Sequence, residues 1–443
     1  MKALSGWGRY PLVATEIVTP HTCDEARKAT AATQGGVARG NGRAYGDAGV
    51  GVRQTLPMRA LDRIRAFDPE RGTVTVEAGV LIADLITTFL PRGVFPTVVP
   101  GTAYVTVGGA IAADVHGKNH HRDGGFGAHV ESFVLATGGG QLLRVSRQEN
   151  AELFAATVGG MGLTGTITEA TLRLRRVETG WIKQQTIVAP DLDAAIAALD
   201  ASDAATYSVA WIDGLAQGRQ LGRSLIFLGE HAGLADLEGR ASKTRFPPLR
   251  TPRVSVPIDV PAVCLNRWSV RAFNEIYFRR NARGAARSRL VPVGTYFFPL
   301  DAVGAWNRMY GRRGFVQYQC VVPLAGAGRV LGDILGRVAA RGEASFLAVL
   351  KKLGSSEGLL SFPRPGYTLA LDFPLRAGLL DFLEELDALV VAAGGRLYLA
   401  KDSRQSRATF EAGYPGLERF RELRRSVDPE GRVRSHLAER LGL

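Results

Sequence analysis

The sequence predicts an α+β protein with two domains, and three observations lead to that prediction. With 443 residues the chain is too long for a single hydrophobic core. Its first part alternates short apolar strands with glycine-rich loops, whereas residues 315–400 predict the order β-α-β-β-α-β. That order is typical of a ferredoxin-like half, an antiparallel sheet flanked by helices. We expect domains over 1–178 and 179–395, and a return to the first domain over 396–443.

In the N-terminal part, hydrophobic periodicity and turn residues predict seven elements. These are a helix over 24–33, strands over 36–38 and 73–78, a helix over 81–90, a hairpin over 129–146, a helix over 151–158 and a strand over 165–174.

After about residue 177 the composition of the sequence changes, and Pro- and Arg-rich connections appear over 246–257. The regular series follows them. Its elements are strand 315–322, helix 328–340, strand 345–350, strand 367–373, helix 379–393 and strand 396–400.

Charge and composition limit the function. The net charge is +13, but the arginines are scattered, which favours a generally basic surface over a nucleic-acid site. Cys23, Cys264 and Cys320 are too far apart for a disulfide framework or a zinc site. No secretory or membrane-spanning segment is recognised, so we expect a cytoplasmic protein. A peripheral membrane contact through the basic surface stays open.

Two glycine-rich segments indicate an anion site. The loop Arg39–Asp47 (RGNGRAYGD) has glycines at 40, 42 and 46 together with two arginines, and Thr106–Gly109 (TVGG) follows about sixty residues later. Closely spaced N–H groups and arginines form a cradle suited to a pyrophosphate. The alternative for the first loop alone is a mobile glycine-rich turn, and the second segment makes the combination more specific.

A third segment, Gly160–Gly165, matches the pattern GxGxxG. A Rossmann fingerprint needs a strand before it and a helix after it, and here the predicted order is reversed. We therefore reject a nicotinamide-type site.

Four of the seven histidines (His116, His120, His121 and His129) lie within fourteen residues. A metal site is the obvious alternative. We expect none, because there is no HExxH pattern and no nearby cysteine or carboxylate cluster to complete a ligand set.

Taken together, these segments resemble the FAD-binding domain of the vanillyl-alcohol-oxidase (PCMH-type) superfamily, and in particular its branch that oxidises polyprenyl-phosphoryl ribose. The motifs that carry the resemblance are GWGRY, RGNGRAYGD, VTVGGAIAADVHGKNHH, ELFAATVGGMGLTG, GFVQYQCVVP, FLAVLKKLG, ALDFPL, GGRLYLAKDSR and VDP. The resemblance implies a two-domain PCMH-type fold whose glycine loops bind FAD without a Rossmann unit.

It also implies the cofactor-binding residues. These are Ala38, Arg39, Gly40, Asn41, Gly42, Arg43, Ala44, Tyr45, Gly46, Gly101, Thr106, Val107, Gly108, Gly109, His116, Gly117, Lys118, Asn119, Ile167 and Tyr398. Many relatives attach FAD covalently through a histidine in the first loop. Arg43 occupies that position, so we expect FAD to be bound non-covalently.

The catalytic candidates are Lys401, Tyr45, His116 and Lys118. By resemblance His116 and Lys118 lie against the flavin, where a cation favours its reduction. Oxidation of a secondary alcohol requires loss of its O–H proton, and a Lys401 with a lowered pKa is a candidate base. Tyr45 or a water molecule is the alternative.

The substrate-binding candidates are Gln317, Gln319, Lys351 and Asp372. The two glutamines share one face of a predicted strand, so they either point at sugar hydroxyls or mark an exposed sheet edge. Only eight lysines occur, and three of them (118, 351 and 401) fall on predicted site positions.

The function implied is FAD-dependent oxidation of the 2'-hydroxyl of a polyprenyl-phosphoryl-β-D-ribose to the 2-keto sugar. A short-chain-type reductase would complete a 2'-epimerisation towards the arabinose donor for cell-wall arabinan. The alternatives are an oxidase of a soluble sugar, alditol or aldonolactone, and a non-catalytic flavin-binding partner protein. Ala370 and Phe297-Phe298 depart from residues common in the family, which leaves the substrate less certain than the cofactor.

Overall fold

The N-terminal sheet is a small mixed sheet that supports the first glycine loop. The structure is a computed structural model that describes residues 1–239, 241–249, 252, 254–261, 264–285, 287–343 and 347–443. The strands are β1 (Lys2–Leu4), β2 (Val13–Ile17), β3 (Gly36–Arg39) and β4 (Gln54–Pro57), in the order β1-β2-β4-β3. Helix α1 (Cys23–Ala32) connects β2 to β3, and both strands run parallel to β4.

The second sheet is antiparallel and carries the larger hydrophobic core of the N-terminal part. Its strands are β5 (Ile64–Asp68), β6 (Thr73–Glu77), β7 (Val94–Pro96), β8 (Val130–Ala136), β9 (Leu142–Ser146) and β10 (Thr166–Arg176). The order is β5-β6-β10-β8-β9, and β7 also pairs with β10. Helices in this part are α2 (Ile82–Phe89), α3 (Val107–Ala112), α4 (His120–Asp123) and α5 (Ala151–Thr157).

The third sheet has eight strands. They are β11 (Trp181–Ala189), β12 (Tyr207–Ile212), β13 (Ser224–His231), β15 (Arg289–Pro292), β17 (Phe315–Pro323), β18 (Ala348–Leu353), β19 (Gly366–Pro374) and β20 (Arg396–Leu397). Their order is β15-β11-β13-β12-β18-β19-β17-β20. Strand β14 (Val254–Ser255) pairs separately with β16 (Val303–Gly304). The helices are α6 (Leu192–Asp200), α7 (Arg267–Ala282), α8 (Val293–Phe297), α9 (Ala327–Arg341) and α10 (Leu379–Ala392), followed by α11 (Arg407–Gly413), α12 (Leu417–Val427) and α13 (His436–Leu441).

The α+β class is confirmed, and so is the ferredoxin-like order, because β18-β19-β17-β20 are antiparallel neighbours. Helices α9 and α10 contribute Leu331, Leu335 and Leu383 to the core that covers this sheet. Their apolar residues recur at helical spacing, which is why the sequence pattern predicted them.

Three corrections concern the elements. The strand predicted over 396–400 ends at Leu397, because the Lys401 amide donates to the Tyr398 carbonyl in a turn. Residues 345 and 346 of another predicted strand lie outside the described residues, and β18 begins at Ala348. The strands β11, β12, β13 and β15 were not predicted, although they form half of the third sheet.

Among the described residues, no helix combines the length and the apolar character that crossing a membrane requires.

Candidate functional site

One cavity of about 420 Å³ is lined by the glycine loops and by most of the predicted site residues. Its walls come from the loop after β3, from α3 and from strands β12, β17 and β18. The volume lies within the range of small-molecule and cofactor sites. The cavity therefore lies between the second and third sheets and is lined by both.

The first glycine loop lies against the segment around Lys401. A Cβ on Gly46 would lie 1.8 Å from the carbonyl oxygen of Asp402, so no larger residue fits there. The Tyr45 amide in turn donates to the carbonyl of Ala400 at 2.9 Å. The loop and the segment that carries Lys401 are thus held in close contact.

The second glycine segment contacts the first. A Cβ on Gly40 would lie 2.2 Å from Oγ1 of Thr106, and one on Gly108 would lie 2.9 Å from Cβ of Ala78. The Thr106 side chain accepts a hydrogen bond from the Gly109 amide and begins helix α3. Both predicted cradle segments therefore form one continuous backbone-lined wall.

Arg43 lies in this wall with its guanidinium carbon 3.9 Å from the ring centre of Trp7. Burial lowers the pKa of its guanidinium. Its Nε is buried without a hydrogen-bond partner among the described residues. A buried donor of this kind favours a ligand acceptor at the same wall.

His116 is the centre of a buried polar cluster. Its Nδ1 lies 3.0 Å from Nζ of Lys351, and its Nε2 lies 3.0 Å from the side-chain nitrogen of Gln319. Burial, with the nearby positive charges of Lys351 and other groups, holds the imidazole pKa well below its usual value. The ring is therefore neutral near pH 7.

Lys351, the partner of His116 Nδ1, is itself buried, and burial lowers its pKa to about 7.

Three of the eight lysines, Lys118, Lys351 and Lys401, line the same cavity. Burial lowers the pKa of Lys118 to about 7, and the proximity of Lys351 acts in the same direction. The Nζ of Lys118 donates to the Tyr296 carbonyl and lies 4.1 Å from the centre of the Tyr296 ring. The site is thus rich in cations that lose their protons easily.

Lys401 lies over an aromatic ring, and a carboxylate is near enough to affect its pKa. Its Nζ lies 3.6 Å from the ring centre of Tyr45. Burial lowers the pKa of Lys401, whereas the nearby Asp372 raises it in part. Asp372 is held by Gln317 at 2.5 Å and by the hydroxyl of Tyr310 at 3.0 Å.

Tyr45, the alternative base, is ill-suited to that role. Burial raises its phenol pKa well above the usual value, and the Asp372 charge adds to the effect. Its hydroxyl therefore stays protonated at neutral pH and is a hydrogen-bond donor rather than a proton acceptor.

The glutamines of β17 do not mark a sheet edge. Strand β17 lies between β19 and β20, and Gln317 and Gln319 are both buried and line the cavity. The exposed-edge alternative is wrong, because two paired neighbours and a covered face leave no solvent contact for these amides.

All predicted site residues line the cavity except Val107, Asn119 and Asp372. Val107 is fully buried in the core, where its side chain packs from α3. The Asn119 side chain donates to the Thr97 carbonyl and to Asp123, and so holds the backbone around the histidines. Asp372 lies behind Gln317 and reaches the cavity through it.

The other three histidines of this cluster form hydrogen bonds within the protein. Nδ1 of His120 accepts from the Gly354 amide, while His121 and His129 contact the carbonyls of Ala205 and Asp123. Within the described residues, no group of three or more His, Cys, Asp or Glu side chains is arranged to hold a metal ion.

Several aromatic residues of the cavity wall were not predicted from the sequence. These are Trp7, Trp211, Tyr277 and Trp306. Trp7 lies in the quoted motif GWGRY, so the motif could have indicated it. Trp211 and Tyr277 come from the part of the chain where no elements were predicted, and nothing in their local pattern separates them from core aromatics.

Two family models match the chain. The model described as "FAD binding domain" matches residues 15–146, and the model described as "D-arabinono-1,4-lactone oxidase" matches residues 371–441. The first contains both glycine segments and His116, and the second contains Asp372 and Lys401. The expectation of FAD as the cofactor is thereby confirmed.

The chain is also similar to known proteins. It is 41% identical to the decaprenylphosphoryl-beta-D-ribose oxidase of Mycolicibacterium smegmatis, over 100% of this chain and 98% of that protein. It is 40% identical to an uncharacterized protein of Streptomyces coelicolor, over 82% of this chain and 99% of that one. It is 32% identical to the L-gulonolactone oxidase of Bos taurus, over 27% of each chain.

The residues of the cavity fit FAD on their own terms. Gly40, Gly42 and Gly108 line the cavity without side chains, so a pyrophosphate can approach the backbone there. The buried, unpartnered Nε of Arg43 supplies a donor on that wall. At the other end, the aromatic ring of Tyr398 and the cations around His116 offer a surface for a polar aromatic ring system.

Proposed function

The chain belongs to the family of the decaprenylphosphoryl-beta-D-ribose oxidase, FAD-dependent oxidoreductases, and on this basis we propose that it oxidises the 2'-hydroxyl of a polyprenyl-phosphoryl-β-D-ribose to the 2-keto sugar. The single observation that carries the proposal is the buried cluster of Lys401, Lys351 and His116 beside the two glutamines in the cavity. It combines a proton acceptor with amides for sugar hydroxyls.

We propose that FAD is held without a covalent bond. The loop around Gly40–Gly46 and the segment Thr106–Gly109 hold its pyrophosphate, and Arg43 stands where a histidine would be needed for attachment. Tyr398, His116, Gly117, Lys118 and Ile167 line the part of the cavity that receives the ring system.

Oxidation of a secondary alcohol removes one proton from oxygen, and one hydrogen with two electrons from carbon. Bound FAD supplies the two-electron acceptor. Lys401, uncharged because burial lowers its pKa, takes the hydroxyl proton, and Asp372 stabilises the ammonium that results. The other residues position the sugar, with Gln317 and Gln319 directed at its hydroxyls and His116 fixed by Lys351.

The anionic character of the substrate is supported by the charge of the site. Lys118, Lys351 and Lys401 line the cavity, whereas none of its described lining residues carries a carboxylate and Asp372 lies behind Gln317. A phosphodiester is attracted by the ammonium groups of Lys118 and Lys351 and raises the pKa values of these two lysines. The cavity also has apolar lining residues, among them Trp211, Phe227 and Leu347, which suit a prenyl chain.

Two further expectations concern partners. A 2-keto sugar is the substrate of a short-chain-type reductase, which would complete a 2'-epimerisation towards the arabinose donor of cell-wall arabinan. A lipid-linked substrate requires that the enzyme reach a membrane surface, which the net charge of +13 favours.

A second candidate is an oxidase of a soluble sugar, alditol or aldonolactone. It is favoured by the lactone-oxidase model over residues 371–441 and by the partial similarity to L-gulonolactone oxidase. Against it stands the relative that matches the whole chain, which is named for a prenyl-linked ribose.

The experiment is anaerobic flavin bleaching of the purified yellow protein. A short-chain prenyl-phosphoryl ribose is expected to bleach the flavin within a single turnover, whereas ribose and gulonolactone are not. Bleaching by the soluble sugars alone would establish the second candidate, and a protein bleached by none would be a flavin-binding partner. Acid precipitation of the same sample is expected to release the FAD into the supernatant.

Lys401→Met tests the base directly. The variant keeps its FAD but is expected to reduce it about 10² to 10⁴ times more slowly, as for other general bases. Near-normal bleaching in the variant would remove Lys401 from the chemistry, and water would become the proton acceptor.

A further inference from the structure

Helix α7 (Arg267–Ala282) exposes large apolar side chains on its outward side. Trp268 is 65% exposed, Phe273 44% and Ile276 68%. Val270 and Asn274, on the inward side, are buried. We call the surface formed by Trp268, Phe273 and Ile276 the α7 outer face. An exposed apolar patch rimmed by polar residues is typical of an interaction surface.

This face is embedded in positive charge. Residues 267–289 contain seven arginines and one acidic residue, Glu275. Glu275 is already paired with Arg223 at 2.7 Å and Arg279 at 2.5 Å. Arg280 and Arg283 are exposed beyond it at the C-terminal end of the helix.

The same helix reaches the cavity. Tyr277 lines the cavity wall, and its ring centre lies 4.9 Å from that of Trp211, which lines it too. Phe273 stacks on Tyr277 with ring centres 5.8 Å apart. Aromatic side chains therefore run continuously from the substrate side of the cavity to the α7 outer face.

The chemistry of this face selects among partners. Two copies of the chain docked through it would bring two sets of arginines together, which opposes a dimer. Trp and other apolar side chains beside arginines are instead the composition of helices that lie in a membrane interface. There the apolar groups enter the acyl boundary and the arginines reach lipid phosphates.

We propose that the α7 outer face docks on a membrane that carries anionic lipids. Trp268, Phe273 and Ile276 insert below the headgroups, and Arg280 and Arg283 bind lipid phosphates. Docked in this way, the Trp211–Tyr277–Phe273 series faces the bilayer and guides a prenyl chain from the lipid into the cavity. The docking itself stands on the surface, whereas this last step rests on the proposed function.

The test is co-sedimentation of the FAD-loaded protein with vesicles of phosphatidylcholine and phosphatidylglycerol in equal parts. The wild-type protein is expected to bind, more weakly at high salt. The variant Trp268→Ser/Phe273→Ser/Ile276→Ser is expected to lose about tenfold or more in partitioning. As a matched control, Leu12→Ser/Leu142→Ser/Leu324→Ser removes three exposed apolar side chains elsewhere and is expected to bind within about twofold of wild type.

A second variant, Arg280→Gln/Arg283→Gln, tests the same surface if the first variant does not fold. It is expected to weaken binding to these vesicles several-fold and to leave the low affinity for pure phosphatidylcholine unchanged. Flavin content and thermal melting of every variant report folding. Equal vesicle binding by all variants, or an α7 variant that only dissociates a protein dimer, would overturn the proposal.

Failure of the docking proposal and failure of the proposed function give different results. If the wild-type protein does not bind vesicles but its flavin is bleached by short-chain prenyl-phosphoryl ribose, the proposed function is supported and the docking proposal is wrong. If vesicle binding depends on the α7 outer face but no prenyl-linked ribose bleaches the flavin, the surface stands and the function falls.

Discussion

The single residues of the site are governed by what burial does to charged groups. Desolvation lowers the pKa of Lys118, Lys351 and Lys401 alike, and the charge of Lys351 lowers it further for the other two. Asp372 is the opposing influence on Lys401. The pKa of Lys401 is thus set by burial and by two neighbours of opposite effect, Asp372 and Lys351.

This balance predicts the pH dependence of flavin bleaching. The rate requires uncharged Lys401, so it rises with pH through the pKa of that residue. Asp372→Asn removes the charge that raises this pKa, and the rising limb is expected to move to lower pH by roughly half a unit to one unit. Lys351→Met removes a charge that lowers it, and the limb is expected to move to higher pH.

Lys352→Met is the matched control, because Lys352 neighbours Lys351 on β18 and pairs with Asp200 and Asp203 at 2.8 and 2.7 Å. The rising limb of the pH dependence of the Lys352→Met variant is expected to stay at the pH of the wild type. Shifts in the same direction for the Asp372 and Lys351 variants would show that Lys401 is not the titrating group.

Among the structural elements, the glycine loop depends on a close backbone contact that only glycine permits. A methyl group added at Gly46 would meet the Asp402 carbonyl. One added at Gly49, three residues on, would have only the Arg39 side chain within 4 Å, at 3.8 Å. These two glycines of the connection between β3 and β4 therefore differ in what an added methyl group would displace.

We expect Gly46→Ala to separate the loop from the Lys401 segment and to lose most of its FAD on gel filtration. Gly49→Ala is expected to keep its FAD, because its methyl group meets ordinary van der Waals distances. The measurement is the ratio of flavin to protein absorbance. Equal retention of FAD by both variants would show that the loop position does not control cofactor binding.

In the molecule as a whole, the last helix, α13, connects two segments of the site that are far apart in the sequence. Arg440 on α13 binds Asp47 at 2.9 Å and Asp402 at 2.8 Å, and both carboxylates are nearly fully buried. One side chain thus connects the first glycine loop with the segment after Lys401. Removing it leaves two buried charges without this partner.

Arg440→Ala is expected to lower the free energy of unfolding by about 3 to 5 kcal/mol, measured by urea denaturation with flavin fluorescence. Arg419→Ala is the control, since Arg419 pairs with Glu152 and Glu422 on the surface. Its effect is expected to stay within about 1 kcal/mol. A similar loss in both variants would contradict the role given to Arg440.

Local signals in the chain were enough to predict the ferredoxin-like order and an anion site at the glycine loops, because helical spacing, strand spacing and glycine motifs can each be read over a few residues. FAD itself was expected from the family resemblance. Strand alternation alone put Gln317 and Gln319 on one face. What lies opposite that face depends on the packed molecule. Packing brings Lys118, Lys351 and Lys401 to one cavity, puts Asp372 behind Gln317, and adds Trp211 and Tyr277 from a region without a clear pattern. These contacts join residues up to hundreds of positions apart, and the burial that lowers or raises each pKa in the site arises only when they pack together.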